Sequence, residues 1–134
     1  MKKNHFFVIL ASATILSAAS CSKSNDVQVT ATASIEGKWD GNYTPVVGPT
    51  YLFTLNFQAG GTLYIDSSSV STAHLASGTW TLAADSVRAT YVLLSSGTYS
   101  LAGKYSSDFK TMTGTIGSGT STSGYAVFSA TKDN

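Results

Sequence analysis

From Ile35 to Thr131 the chain keeps a period of two and nowhere holds a 3.6-residue apolar period over ten residues. A helix needs apolar side chains three and four apart to bury one stripe, whereas a half-buried strand needs them at every second position. Tyr51-Leu52-Phe53-Thr54-Leu55-Asn56-Phe57 shows the pattern most cleanly, with Tyr51, Phe53, Leu55 and Phe57 on one face. Similar segments recur, each bounded by Gly, Pro, Ser, Asn or Asp, the residues that make turns. The alternation predicts strands over Ile35–Tyr43, Tyr51–Phe57, Leu63–Asp66, His74–Leu82, Val87–Leu94, Thr98–Tyr105, Lys110–Ile116 and Gly124–Thr131.

The first of these segments sets the two faces. In Ile35-Glu36-Gly37-Lys38-Trp39-Asp40-Gly41 the bulky apolar Ile35 and Trp39 take odd positions, and Glu36, Lys38 and Asp40 take even ones. One face is therefore dry and the other wet. Pro45 and Pro49, with Gly48 between them, break pairing before the second strand, and Ala59-Gly60-Gly61-Thr62 makes a hairpin turn. Eight short strands, each followed at once by the next, read as an antiparallel meander. Eight is also the number at which a meander closes on itself and loses its edges. The expected fold is all-β, an eight-stranded antiparallel up-and-down barrel over 35–134; an open sandwich of two sheets is the competing arrangement.

The residues before Ile35 have a different character. Met1-Lys2-Lys3-Asn4-His5 is basic, Phe6 to Ile15 is apolar except for Ser12 and Thr14, and small residues follow in Leu16-Ser17-Ala18-Ala19-Ser20-Cys21. That is the organisation of a secretory signal, and the apolar run is too short for a permanent membrane helix. Ala18-Ala19-Ser20-Cys21 resembles a bacterial lipobox, which implies cleavage after residue 20 and lipid attachment at Cys21. Ser22, in place of Asp, resembles outer-membrane sorting. Residues 21–34 read as a tether: thirteen residues, Ser22 to Ser34, spanning roughly 20 Å as a random coil. The expected address is the cell envelope, anchored by lipid, with periplasmic and surface faces both open.

Composition removes several function classes. Charged residues make up 11% of the 134, and loss of Lys2 and Lys3 with the leader leaves six basic against seven acidic residues, a net charge near −1. No basic field remains to attract nucleic acid. A single cysteine excludes an internal disulfide, and no Cys/His spacing suits a structural metal. Gly60-Gly61 lacks the helix and Lys-Ser/Thr pair of a phosphate-binding loop. No cofactor is expected, and the sequence leaves oligomeric state open.

Gly37-Lys38-Trp39 on the first strand resembles the Gly-x-Trp signature of the lipocalin and avidin (calycin) superfamily. Gly78-Thr79-Trp80-Thr81-Leu82, Leu101-Ala102-Gly103-Lys104, Met112-Thr113-Gly114-Thr115 and Gly124-Tyr125-Ala126-Val127-Phe128 look like the later strands of small bacterial lipocalin-like lipoproteins. The resemblance covers about Ile35 to Lys132, without the C-terminal helix of classical lipocalins. It implies a barrel that binds a small apolar or heterocyclic molecule at its mouth. It also implies a basic residue stacked on the first-strand Trp, for which Arg88 and Lys132 are the candidates.

Catalytic groups are scarce. His74 is the one histidine outside the leader, and no nucleophile elbow accompanies it. Glu36 and Asp40 could pair for glycosidase chemistry, but their phase points them to solvent. The chain is expected not to be an enzyme. Aromatic residues are the better lead, because a tyrosine gives a pocket both an apolar ring and a hydroxyl. Trp39, Tyr43, Tyr51, Phe53, Trp80, Tyr91, Tyr99 and Tyr105 are the expected ligand-binding residues. The alternative is that these rings simply fill a narrow barrel, leaving a structural or protein/glycan-interaction module of the envelope. Asp85-Ser86-Val87 resembles a short bacterial O-glycosylation motif, with Ser86 as the acceptor.

Overall fold

A computed structural model describes residues 34–67 and 73–133. The leader, Cys21 and the tether up to residue 33 lie outside the described residues. Eight antiparallel strands form one closed barrel in sequence order: β1 Gly37–Pro45, β2 Tyr51–Phe57, β3 Thr62–Asp66, β4 Ala76–Ala83, β5 Ser86–Leu93, β6 Gly97–Tyr105, β7 Thr111–Ser118 and β8 Ala126–Lys132. β8 returns to β1 and closes the wall, with Trp39 opposite Lys132 and Tyr43 opposite Phe128. The closed up-and-down barrel displaces the two-sheet sandwich: every strand finds both neighbours, so no backbone edge is left to cover.

The expected strand ends differ from the observed ones where a side chain or a glycine has a competing use. Ile35 precedes β1 because Gly37 takes a φ of +113° and turns the chain back over the barrel end. The Ile35 carbonyl then accepts a 2.8 Å hydrogen bond from the Trp39 indole nitrogen. β4 begins at Ala76 rather than His74, whose imidazole instead stacks on Tyr64 at 4.0 Å and bonds Asp66. β8 begins two residues after Gly124, which has a φ of +95°.

Alternation decides the core. Trp39, Leu55, Phe57, Leu63, Val87 and Leu101 are fully buried, while Lys38 and Asp40 on β1, Thr79 on β4, Arg88 on β5 and Thr113 on β7 face out. Halfway along the interior the inward positions are small. Gly103 and Gly114 lie directly opposite each other on β6 and β7, and the ring of Phe128 rests against both. With no Cβ on either residue, the aromatic ring reaches the backbone.

The outer face is held by hydroxyls. Thr54 is 4% exposed and donates a 2.6 Å hydrogen bond to Asp40, which also meets Lys38 at 3.1 Å. The Thr54 hydroxyl, then Lys38, hold the Asp40 carboxyl below its usual range. A pKa lower in the folded than in the unfolded chain stabilises the fold above the unfolded value of about 4, and that stability is lost as pH falls through the folded value. Asp85 and Asp108 are lowered in the same way, first by Ser86 and Ser106 respectively. We therefore expect urea midpoints to fall between neutral pH and about pH 2. Thr54→Val should reduce the part of that fall due to Asp40, worth under about 1 kcal/mol for a half-exposed group. An unchanged pH profile in Thr54→Val would remove Thr54 from this role.

Candidate functional site

The two ends of the barrel are unlike. At the end where β1 begins, Ile35, Trp39, Phe57, Leu63 and Met112 are each no more than 1% exposed and belong to one buried cluster. Trp80 joins this plug, its ring edge-on to Phe57 at 5.6 Å and its indole nitrogen donating to the Gln58 carbonyl at 3.0 Å. Lys132 closes it from outside. Its ammonium lies 5.9 Å from the centre of the Trp39 ring and donates a 2.5 Å hydrogen bond to the Ser34 carbonyl. Of the two basic candidates for stacking on the first-strand Trp, Lys132 holds that place and Arg88 points to solvent. The reason is register, since Lys132 is the direct β8 partner of Trp39.

Tyr105 stays at this closed end as well. Its hydroxyl donates to the Ala84 carbonyl at 2.8 Å, and its ring stacks on Phe109 at 4.8 Å. Ala84 and Phe109 are the two described non-glycine residues with positive φ, 54° and 55°. Tyr105 thus braces two turns whose backbone would otherwise avoid that conformation.

At the opposite end the barrel is hollow. A cavity of about 460 Å³ opens between the ends of β1, β3, β5 and β7 and the starts of the strands that follow them. Tyr43, Tyr51, Phe53, Tyr91 and Tyr99, all expected as ligand-binding residues, line it. Trp39, Trp80 and Tyr105 do not, because they share the inward face but lie at the other end. Ile65, Leu93 and Ile116 complete the apolar wall, and among the described residues no charged side chain lines it.

Tyr125 also lines the cavity, tilted against Tyr99 with ring centres 5.0 Å apart. Alternation puts Ala126, Phe128 and Ala130 inward, which would put residue 125 outward. Tyr125 escapes that rule because it precedes the strand, just after the turn at Gly124, while its amide bonds the Ile116 carbonyl at 2.9 Å. Only that Gly124 signalled a break in phase.

The tyrosines form two stacked pairs, Tyr43 on Tyr51 at 5.3 Å and Tyr91 on Tyr99 at 6.0 Å. Burial, and then the neighbouring phenols, push the hydroxyls of Tyr91 and Tyr43 above their ordinary value. Both of these phenols are therefore neutral at physiological pH. Around its rim Val46, Val47, Leu52, Leu75 and Leu94 are exposed, so the approach is apolar too.

Other candidate groups lie away from the cavity lining. His74 Nδ1 is 2.8 Å from Asp66 Oδ1 on the outside of the barrel. Glu36 and Asp40 face solvent, and Ser86 donates to Asp85 at the β4–β5 turn. Among the described residues no three His, Cys, Asp or Glu side chains gather as a metal site would require. No helix among them is long and apolar enough to cross a membrane. No protein-family model matches the chain, and comparison with curated proteins finds no match.

Proposed function

We propose that this chain is a membrane-tethered, lipocalin-like lipoprotein whose barrel binds a small apolar or aromatic molecule in its open half. The observation that carries the binding role is the 460 Å³ aromatic cavity, which falls in the size range of small-molecule sites. A binding role is favoured over an enzymatic one because His74 and the carboxylates lie outside that cavity. The tether is argued from the Ala18-Ala19-Ser20-Cys21 motif, with lipid on Cys21 and an envelope location. Several acyl chains at about 0.8 kcal/mol per buried CH₂ give stable anchoring without a spanning segment. Ser34 joins the barrel at its closed end, so on this reading the tether attaches at the end opposite the mouth.

The exposed Val46, Val47 and Leu94 at the mouth favour a second reading, an interaction module that meets another envelope protein there. Titration with the neutral dye N-phenylnaphthylamine separates the two. The binding reading expects one saturable site, weakened at least about tenfold when Leu93→Trp fills the cavity. Absence of dye binding by the unaltered protein would overturn it. Incorporation of labelled palmitate, lost in Cys21→Ala, tests the anchor; an unlabelled full-length protein in a lipoprotein-processing host would exclude it.

A further inference from the structure

The cavity is apolar in its walls but not in its equipment. The five tyrosines that line it bring five hydroxyls, and none of them bonds to another described residue. Among the described residues no buried side-chain polar atom lacks a partner, and all five tyrosines line the cavity. They are also close together. The phenols of Tyr43, Tyr99 and Tyr125 each act on that of Tyr91, and those of Tyr51, Tyr99 and Tyr125 act on that of Tyr43. The cavity therefore holds a cluster of phenolic donors and acceptors inside a ring of aromatic faces, with no charged side chain among its described lining residues.

A purely apolar ligand would fit this site poorly. It would displace water from the hydroxyls and give nothing back, and each unpaired buried hydroxyl costs on the scale of a lost hydrogen bond. An anion or cation would fit worse, because it would be desolvated with no countercharge in the wall. Resting on the ligand-binding reading above, we infer that the cavity is built for a flat, uncharged ring compound with hydrogen-bonding groups on its edge. The ring packs against the aromatic walls while its polar edge replaces water at the hydroxyls of Tyr43, Tyr91, Tyr99 and Tyr125. These hydroxyls supply specificity, and the cavity's apolar area supplies most of the attraction.

Three probes of matched size separate the possibilities in equilibrium dialysis against the purified full chain at neutral pH: naphthalene, naphthol and naphthoate. Naphthol is expected to bind roughly tenfold more tightly than naphthalene, the effect of one or two neutral hydrogen bonds, and naphthoate more weakly than either. The quadruple variant Tyr43→Phe/Tyr91→Phe/Tyr99→Phe/Tyr125→Phe should bring naphthol to within about twofold of naphthalene, since it removes every hydroxyl that would pair with the polar edge. Naphthalene binding should survive in that variant, which also reports that the barrel is intact. Equal affinity for naphthalene and naphthol, tightest binding of naphthoate, or a naphthol preference that persists in the quadruple variant would each overturn this inference and leave the pocket standing. Failure of all three probes to bind would overturn the ligand-binding reading as well.

Discussion

Replacing Trp39 by alanine is expected to remove about 3–5 kcal/mol of stability, the range for truncating a fully buried large aromatic. Trp39 is 0% exposed and bonds the Ile35 carbonyl. It lies under the Lys132 ammonium and pairs with both Leu55 on β2 and Lys132 on β8. Its loss would leave a cavity where the chain enters the barrel and where first and last strands meet. At about 4–8 °C per kcal/mol for a domain of this size, the melting temperature should drop by roughly 15–30 °C. Trp39→Phe should cost less, about 1–2 kcal/mol, because it keeps most of the ring and loses the buried hydrogen bond. Circular dichroism melts check both. A Trp39→Ala protein that melts like the parent would mean the plug is not what closes this end.

The second large effect is expected at Gly114, where alanine should cost about 3 kcal/mol, the upper range for overpacking a filled core. A Cβ built there would lie 2.2 Å from the Ala102 carbonyl oxygen, 2.6 Å from the Phe128 ring and 2.7 Å from the Gly103 Cα. Two of those three are backbone atoms of β6, so no rotamer change relieves the clash; β6 and β7 must move apart and weaken their ladder. Thr113→Ala on the same strand faces solvent and should change stability by no more than about 0.5 kcal/mol. Denaturant midpoints of the two variants give the comparison. If Gly114→Ala unfolds with Thr113→Ala, the close approach of Phe128 to this glycine pair is not a feature of the folded protein.

The same glycine pair shows where pattern stops being informative. Met112, Gly114 and Ile116 share a phase in the sequence, and so do Leu101 and Gly103. Phase places all five inward. It does not reveal that Gly103 and Gly114 face each other across a ladder, because that depends on the register of β6 against β7. Register is also what put Lys132, rather than Arg88, over Trp39. Both are basic residues on strands; alternation turns Arg88 outward between buried Val87 and Ala89, and the closure of β8 onto β1 sets Lys132 opposite Trp39.

The candidate site was legible to the same depth. Alternation put eight aromatic residues on one face, and five of them line the cavity. Trp39, Trp80 and Tyr105 went elsewhere, since a period of two reports which side of the wall a residue takes and not how far along the barrel it lies. Tyr125 was invisible to the pattern because a positive-φ glycine set it out of step.

What the sequence determined by itself is local. Alternating apolar positions, turn residues between them and the absence of a helical period leave strands as the way to bury one face, and eight consecutive strands make closure available. What only the tertiary structure decided is depth and neighbourhood: which end is plugged and which is hollow, and which hydroxyls meet in the hollow half. Those outcomes depend on pairing register and barrel stagger, which couple residues as far apart as Trp39 and Lys132, and no short-range period carries that information.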